Sequence, residues 1–129
     1  MTEKKRILVV DDEPDFCSIV QGQLEKEGFE VEIAYNGIEG LEKVHANPPD
    51  AIVLDVMMPE MDGYEVCKKL KADEKYADIP VVLLTAVASH VTSTRYSHQD
   101  GMSTEADDYI AKPASAEEIM ESIKRLLED

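Results

Sequence analysis

The sequence predicts an α/β fold in which a parallel sheet is covered by helices on both faces. Short β-branched runs alternate strictly with segments whose apolar residues recur at helical spacing. Three of the β-branched runs are continuously apolar, which is typical of parallel strands that are buried on both faces. Strict alternation of strand and helix favours right-handed crossovers within one sheet, so we expect a doubly wound architecture.

Five short runs rich in β-branched residues are the predicted strands. They are Ile7–Val10, Val31–Ile33, Ile52–Leu54, Val81–Leu84 and Tyr109–Ile110. Five strands in a chain of 129 residues fit a flavodoxin-like sheet with the strand order 2-1-3-4-5. The sequence contains no internal repeat or interdomain linker, so residues 1–129 are expected to form one domain without an output domain.

Apolar periodicity and end signals predict the helices. The first opens at Pro14 and closes at Gly28, and the second stops before Pro48 because proline cannot continue a helix. The last begins at Ser115, and Glu118 three residues later completes a capping box. The residues that define the four helices are Phe16, Ile19, Val20 and Leu24, then Ile38, Leu41, Val44 and His45, then Val66, Cys67 and Leu70, and finally Ile119, Met120, Ile123, Leu126 and Leu127.

The segment between Thr85 and Tyr109 fits this pattern least well. One helix is expected there, but the segment is rich in serine and threonine, whose side chains compete with helical backbone hydrogen bonds. We therefore expect a weak or short helix. Polar connections of this length are often functional or mobile in compact domains.

The charge balance disfavours several classes of partner. The chain has 13 Lys and Arg against 28 Asp and Glu, a formal net charge of −15. Such a charge argues against direct binding to nucleic acid or to an anionic membrane. The apolar runs are too short to cross a bilayer or to form a signal-peptide core, so a cytoplasmic location is expected. Cys17 and Cys67 are expected to be small core residues of a reduced protein.

Acidic residues gather where doubly wound sheets bind ligands, at the carboxyl ends of the strands. Asp11 and Asp12 directly follow the first strand, and Asp55 directly follows the third. These strands are neighbours in the predicted order, so the three carboxylates should converge and repel one another. The repulsion predicts a counter-ion. Mg²⁺ suits the site because it takes one or two carboxylates and leaves room for phosphate oxygens, and Mn²⁺ is expected to be able to substitute.

Two further polar residues are expected at the same edge. Thr85 ends the fourth strand with a hydroxyl, and Lys112 follows the fifth strand with a mobile ammonium group. With the carboxylates they form a set suited to phosphorylation of an aspartate, in which Asp55 attacks phosphorus and Thr85 and Lys112 bind the new oxygens. Asp11 and Asp12 could instead merely cap the first helix, since acidic residues favour helix N-termini.

Taken in order, these motifs resemble the receiver domain of two-component response regulators. The resemblance covers essentially the whole chain, from Ile7 to Leu127. Several motifs in the right order on the right elements are far more specific than any one of them. The motifs are Asp11-Asp12, Asp55-Val-Met-Met-Pro-Glu-Met-Asp-Gly63, Thr85-Ala86 and Asp107-Asp-Tyr-Ile-Ala-Lys-Pro113.

The resemblance implies a role for each acidic residue of the site. Asp55 would be the phosphoacceptor. Asp12 and Asp55 would bind Mg²⁺ directly, and Asp11 would help through water. The backbone carbonyl of Met57 would complete the protein's share of the metal site.

The resemblance also implies a switch. Thr85 would move toward the phosphoryl group, the rotamer of Tyr109 would follow Thr85, and Lys112 would bind phosphate oxygens. The peptide bond that precedes Pro113 would be cis, and Gly63 would support the turn into the third helix.

For the protein as a whole, the resemblance implies a phosphorelay signalling module. It would not be an enzyme, beyond slow self-dephosphorylation. A sensor histidine kinase or a histidine phosphotransfer protein would phosphorylate Asp55. Phosphorylation would shift the face formed by the helix after the fourth strand, the fifth strand and the last helix, which would bind a downstream target protein. The domain would be a monomer or a phosphorylation-dependent dimer, without direct contact to nucleic acid or membrane.

Three other functions remain as alternatives. An aspartyl phosphatase would need a second acid two residues after the nucleophile, where Met57 stands. A nucleotide or flavin binder would need a glycine-rich loop after the first strand, where Asp11 and Asp12 would repel phosphate. A receiver-like interaction module that signals without phosphorylation is the main alternative.

Two apolar residues bear on the lifetime of a phosphoryl group. Met57 and Val87 lie two residues beyond Asp55 and Thr85, at positions that border the path of attacking water in the family. Neither side chain can orient a water molecule. We therefore expect a long-lived phosphoryl group.

Overall fold

Five strands alternate with four helices in a computed structural model that describes residues 4–58, 61–85, 106–112 and 114–127. None of these helices combines the length and apolar character needed to cross a bilayer. The strands are β1 (Arg6–Val10), β2 (Glu30–Ala34), β3 (Ala51–Asp55), β4 (Val81–Thr85) and β5 (Asp108–Ala111), and the helices are α1 (Pro14–Lys26), α2 (Gly37–Ala46), α3 (Gly63–Lys71) and α4 (Ala116–Leu127).

The five strands run parallel in one sheet of order β2-β1-β3-β4-β5. Val10 of β1 pairs with Leu54 of β3, and Thr85 of β4 pairs with Ala111 of β5. The sheet is extended from β1 in both directions, so the strand order reverses between β1 and β3. The predicted fold class and strand order are confirmed.

Side chains of the central strands enter two separate core layers, because successive residues of a strand point to opposite faces. One layer packs with α2 and α3, and the other packs with α1 and α4. Cys67 belongs to the first layer and Cys17 to the second, and both are buried as predicted. The strand residues of the first layer include Leu8, Val10, Ile52, Leu54, Val81 and Leu83, and those of the second include Ile7, Val9, Ala51, Val53, Val82 and Leu84.

Two helical residues that periodicity assigns to the core are exposed. Ile19 of α1 is 63% exposed and Ile38 of α2 is 44% exposed. In α2 the buried face includes Gly37 and Gly40, and a β-carbon at Gly40 would lie 3.0 Å from a methyl group of Val10. The backbone of α2 thus lies close against the sheet, and this orientation turns Ile38 toward solvent.

Polar side chains cap the N-termini of three helices. Asn36 caps α2 and Asp62 caps α3, each accepting from the backbone N–H three residues later, at 2.8 and 2.9 Å. At α4, Oγ of Ser115 accepts from the N–H of Glu118 at 3.0 Å, and the Glu118 carboxylate accepts from the N–H of Ser115 at 2.9 Å. The predicted capping box is confirmed.

Some predictions fall outside the described residues. These are the helix between Thr85 and Tyr109, the placement of Val87 and the cis peptide bond before Pro113. They stay predictions.

Candidate functional site

The carboxyl edge of the sheet gathers the polar residues that the sequence singles out. Asp11 directly follows β1, Asp55 is the last residue of β3, Thr85 is the last residue of β4, and Lys112 directly follows β5. Because β1, β3, β4 and β5 are consecutive neighbours, these four residues lie along one edge. Ligands of doubly wound sheets bind at this edge, where the strand order reverses.

Three carboxylates form an acidic cluster at this edge. Oxygen atoms of Asp11, Asp12 and Asp55 all lie within 4.8 Å of one another. Asp11 is fully buried and Asp55 is 1% exposed, whereas Asp12 is exposed to solvent. The cluster therefore holds two buried carboxylates and one that solvent can reach.

Asp11 is fixed by the turn that leads from β1 into α1. Its Oδ1 atom accepts from the backbone N–H of Glu13 at 2.9 Å, and its backbone carbonyl accepts from the thiol of Cys17 at 3.4 Å. The N-cap of α1 is Glu13, whose side chain makes no capping hydrogen bond. Neither Asp11 nor Asp12 occupies the N-cap position, so helix capping does not account for this acidic pair.

Lys112 brings an ammonium group into the acidic cluster. Its Nζ atom donates to Oδ2 of Asp11 at 3.3 Å and lies 3.4 Å from Oδ2 of Asp55 and 3.7 Å from Oε1 of Glu13. The backbone N–H of Lys112 donates to the carbonyl of Thr85 at 2.6 Å, which ties the residue to β4. One ammonium therefore faces three carboxylates, and the surroundings keep a net negative charge.

Burial and repulsion alter the acid–base behaviour of the cluster. Burial, together with the charge of Asp11, raises the pKa of Asp55 from 3.8 to about 6, although Lys112 and the N–H of Met57 act in the opposite direction. Burial also raises the pKa of Asp11, although the hydrogen bond from the Glu13 N–H and the charge of Lys112 both act to lower it. Burial disfavours the charged form of Lys112, but Asp11 and Asp55 more than compensate and raise its pKa.

Thr85 has a buried hydroxyl at the end of β4. Within the described part of the chain, its Oγ1 atom has no hydrogen-bond partner. An unsatisfied buried hydroxyl costs about 1–3 kcal/mol, so such a group in a folded protein calls for a functional or structural reason. Thr85 is therefore available to donate to a ligand at the carboxyl edge.

Tyr109 shares a face of the sheet with Thr85. Tyr109 pairs with Leu83 and Ala111 pairs with Thr85, so the Tyr109 and Thr85 side chains project to the same side. Tyr109 is 44% exposed. Burial of its remaining surface raises the pKa of Tyr109, although a hydrogen bond with the backbone of Ala106 acts in the opposite direction. Both members of the predicted switch thus lie on one face.

The loop after β3 holds the Asp55 carboxylate. The backbone N–H of Met57 donates to Oδ1 of Asp55 at 3.3 Å, while the Met57 side chain is 63% exposed. Gly63 opens α3, and a β-carbon there would clash with the carbonyl oxygen of Asp55 and lie 2.8 Å from Cα of Val56. Gly63 thus permits the close approach of α3 to this loop. The ligand role of the Met57 carbonyl stays a prediction.

The acidic cluster fits a hard divalent cation. Its donors are carboxylate oxygens, the ligands that Mg²⁺ prefers in proteins. Burial raises the pKa values of Asp11 and Asp55, which indicates that their ionised forms lack sufficient counter-charge. Lys112 supplies only one positive charge, so a cation among these oxygens would relieve the remaining repulsion.

Two contacts of Lys112 are absent from the sequence predictions. Glu13 lies 3.7 Å from the ammonium, and the Nζ atom lies 5.0 Å from the ring centroid of Phe16. Glu13 could have been suspected because it adjoins Asp12. Phe16 is assigned to the core face of its helix, and no sequence signal places Lys112 over its ring.

A protein-family model, the response regulator receiver domain, matches residues 7–124. The chain belongs to this family. It is therefore a receiver domain of the kind found in two-component signalling systems.

Two curated relatives show how this receiver domain compares with longer proteins. It is 39% identical over 122 residues to the DNA-binding dual master transcriptional regulator RpaA of Synechocystis, covering 95% of this chain and 48% of RpaA. It is 42% identical over 122 residues to the response regulator MprA of Mycobacterium ulcerans, covering 95% of this chain and 50% of MprA. The chain thus spans about half the length of these relatives.

Solved receiver structures share the fold. The receiver domain of a signal transduction histidine kinase from Syntrophus aciditrophicus superposes with a TM-score of 0.83 at 35% identity, covering 96% of this chain and 90% of that one. The chemotaxis protein CheY4 of Vibrio cholerae gives a TM-score of 0.84 at 30% identity, covering 97% of this chain and 100% of that one.

Proposed function

We propose that this receiver domain accepts a phosphoryl group on Asp55 within a two-component phosphorelay. The observation that carries the proposal is the placement of one buried carboxylate beside two other carboxylates and one ammonium, at the edge where such sheets bind ligands. Asp55 has the central position, because its Oδ1 atom accepts from Met57 and its Oδ2 atom faces Lys112.

In the proposed reaction, a carboxylate oxygen of Asp55 attacks the phosphorus of a phosphohistidine on a kinase or phosphotransfer protein. The new O–P bond forms as the P–N bond breaks, and the imidazole nitrogen leaves with the electron pair of that bond. Lys112 is close enough to bind an oxygen of the incoming group, and the hydroxyl of Thr85 is available to donate to another.

Asp11, Asp12, Asp55 and the carbonyl of Met57 are the residues that would hold Mg²⁺, for which Mn²⁺ could substitute. The ion, when bound, supplies positive charge that offsets the repulsion between the acidic cluster and an anionic phosphoryl group. Of the two Asp11 oxygens, Oδ1 is held by the backbone N–H of Glu13 and Oδ2 lies 3.3 Å from the ammonium of Lys112.

The proposed output is a shift of the surface near β5. Thr85 and Tyr109 lie on the same face of the sheet, so movement of the Thr85 hydroxyl toward a phosphoryl oxygen would free space for Tyr109 to change rotamer. The shifted surface would bind a target protein, in a monomer or a phosphorylation-dependent dimer.

The expected partners are a sensor histidine kinase or histidine phosphotransfer protein and a downstream protein. The name of RpaA says that RpaA binds DNA. With a net charge of −15, we infer that this chain itself does not contact nucleic acid. A cytoplasmic location and the absence of enzymatic turnover beyond slow self-dephosphorylation belong to the same proposal.

The test is phosphorylation by acetyl phosphate with and without Mg²⁺, followed by intact mass spectrometry. We expect one phosphoryl group on the wild-type protein with Mg²⁺, and none on Asp55→Asn or after removal of Mg²⁺ by a chelator. Asp78→Asn, which changes an exposed aspartate away from the cluster, is the matched control and should be labelled like the wild type. Labelling of Asp55→Asn would refute the assignment, and no labelling of the wild type would favour a phosphorylation-independent interaction module.

A further inference from the structure

We propose that Phe16 is a positioning residue whose ring holds the ammonium group of Lys112 at the acidic cluster, in reach of the phosphoryl oxygens. The inference rests on the proposed phosphorylation of Asp55. The Nζ atom of Lys112 lies 5.0 Å from the ring centroid of Phe16, within the ~6 Å over which a cation is attracted to an aromatic face.

The carboxylates alone do not fix the ammonium group. Its distances to Asp11, Asp55 and Glu13 are 3.3, 3.4 and 3.7 Å. Each is longer than the ~2.7–2.9 Å of a strong charge-assisted hydrogen bond. Lysine also has a long, flexible side chain, whose rotamer freedom favours several positions among three comparable acceptors.

Phe16 itself is well anchored. It lies in the first turn of α1, two residues after Pro14, and its partly buried ring packs against the core layer shared by α1 and α4. The ammonium of Lys112 lies over this ring. A ring held by the core can therefore limit the motion of the ammonium.

The ring contact differs from the acidic contacts in its dependence on charge. A bound cation would weaken the attraction of Asp11 and Asp55 on Lys112, and phosphoryl transfer would move the negative charge of Asp55 from its carboxylate to the new phosphoryl oxygens. The attraction of the aromatic face does not depend on those charges. Phe16 would thus keep Lys112 near the site during the step in which its partners change.

Three substitutions separate positioning from core packing. Phe16→Leu removes the aromatic face but keeps an apolar side chain, and Phe16→Tyr restores the ring. Phe29→Leu is the matched control, because Phe29 is the other phenylalanine of the chain and packs partly buried against the same core layer. Thermal unfolding of each variant first verifies that it is folded.

The direct readout is the NMR shift of the Lys112 Hε protons in the Mg²⁺-free, unphosphorylated protein, assigned with Lys112→Arg. We expect an upfield ring-current shift in the wild type, Phe16→Tyr and Phe29→Leu, and its loss in Phe16→Leu. The kinetic readout is the rate of labelling by phosphoramidate in Mg²⁺. Phe16→Leu should lower it about two- to fivefold, the range of a cation–π contact of about 0.5–1 kcal/mol, and Phe16→Tyr should restore it.

Several results would overturn the proposal. An unchanged Lys112 shift in Phe16→Leu would show that the ring does not hold the ammonium, and an equal loss of rate in Phe29→Leu would indicate a packing effect only. A defect confined to transfer from a phosphohistidine protein would make Phe16 a contact for the donor. If the wild type takes up no phosphoryl group, the proposed function fails. The NMR comparison still decides whether Phe16 holds the ammonium group of Lys112.

Discussion

The Nζ atom of Lys112 lies 3.3 Å from Oδ2 of Asp11, although 101 positions separate the two residues in the sequence. The contact joins the end of β5 to the end of β1 across the intervening strands β4 and β3. Lys112 is only 18% exposed and Asp11 is fully buried, so the contact lies inside the site and solvent screens it little. The ion pair therefore couples both ends of the candidate site. A change of charge at Asp55, which lies between them, should alter the electrostatic interactions of both Lys112 and Asp11.

Stability of the Mg²⁺-free domain should rise as the pH falls through about 6. The pKa of Asp55 is raised from 3.8 to about 6 by burial and by Asp11, so the folded state binds a proton more readily than the unfolded state. This contribution to the free energy of unfolding is complete below about pH 3.8 and is lost as the pH rises through about 6. Its upper bound is about 3 kcal/mol. Urea denaturation in a chelator, between about pH 5 and about pH 8, measures it.

Asp55→Asn separates this effect from other titrations. The variant should flatten the pH dependence, and it should be more stable than the wild type at neutral pH without Mg²⁺, by on the order of 1–3 kcal/mol. Saturating Mg²⁺ should stabilise the wild type at neutral pH by preferential binding to the folded state. The idea is wrong if the pH profiles of the wild type and Asp55→Asn coincide in chelator.

Thr85→Val should stabilise the unphosphorylated domain while removing the switch. Valine has nearly the shape of threonine and lacks the buried Oγ1 atom that has no partner within the described residues, so a gain of about 1 kcal/mol is expected. Urea denaturation gives the stability. In NMR spectra with beryllofluoride, the shift changes at Tyr109 seen in the wild type should be absent from Thr85→Val and present in Thr85→Ser. A loss of stability in Thr85→Val would show that the hydroxyl is already satisfied.

The phosphoryl group on Asp55 should persist well beyond seconds in Mg²⁺. Met57 carries an exposed apolar side chain two residues after Asp55, and it cannot orient an attacking water molecule. Met57→Asn should shorten the lifetime on the order of tenfold, because a polar side chain there can bind that water. Decay of labelled protein measures it. Loss within seconds in the wild type, with no dependence on residue 57 or on Val87, would contradict the hypothesis.

Gly63→Ala should destabilise the fold by about 1–3 kcal/mol, because a β-carbon there would clash with the carbonyl of Asp55 and with Val56. The displaced loop should also slow labelling of Asp55. Gly22→Ala is the matched control, since nothing lies within 4 Å of its β-carbon in α1 and alanine is the better helix former, worth about 0.5–1 kcal/mol. Equal stability changes in the two variants would rule out the close approach at Gly63.

The sequence predicts the fold and the members of the site because local patterns encode them. Continuous apolar runs identify β1, β3 and β4, and residues that directly follow a strand must lie at the carboxyl edge once the sheet is parallel. The sequence alone therefore assigns Asp11, Asp55, Thr85 and Lys112 to one edge.

Distances and orientation, by contrast, depend on how separate elements pack. Periodicity places Ile38 in the core, but the close contact of α2 with Val10 of the sheet through Gly40, and with Val66 of α3 through Gly37, turns it outward. The ring of Phe16 meets Lys112 because the first turn of α1 and the residue after β5 both lie at the carboxyl edge of the sheet, and no local pattern reports such a contact between distant segments. Local sequence patterns at the ends of the strands determine which residues belong to the site. How strongly they interact depends on burial and on atoms brought together from distant positions, so it was decided by the tertiary structure alone.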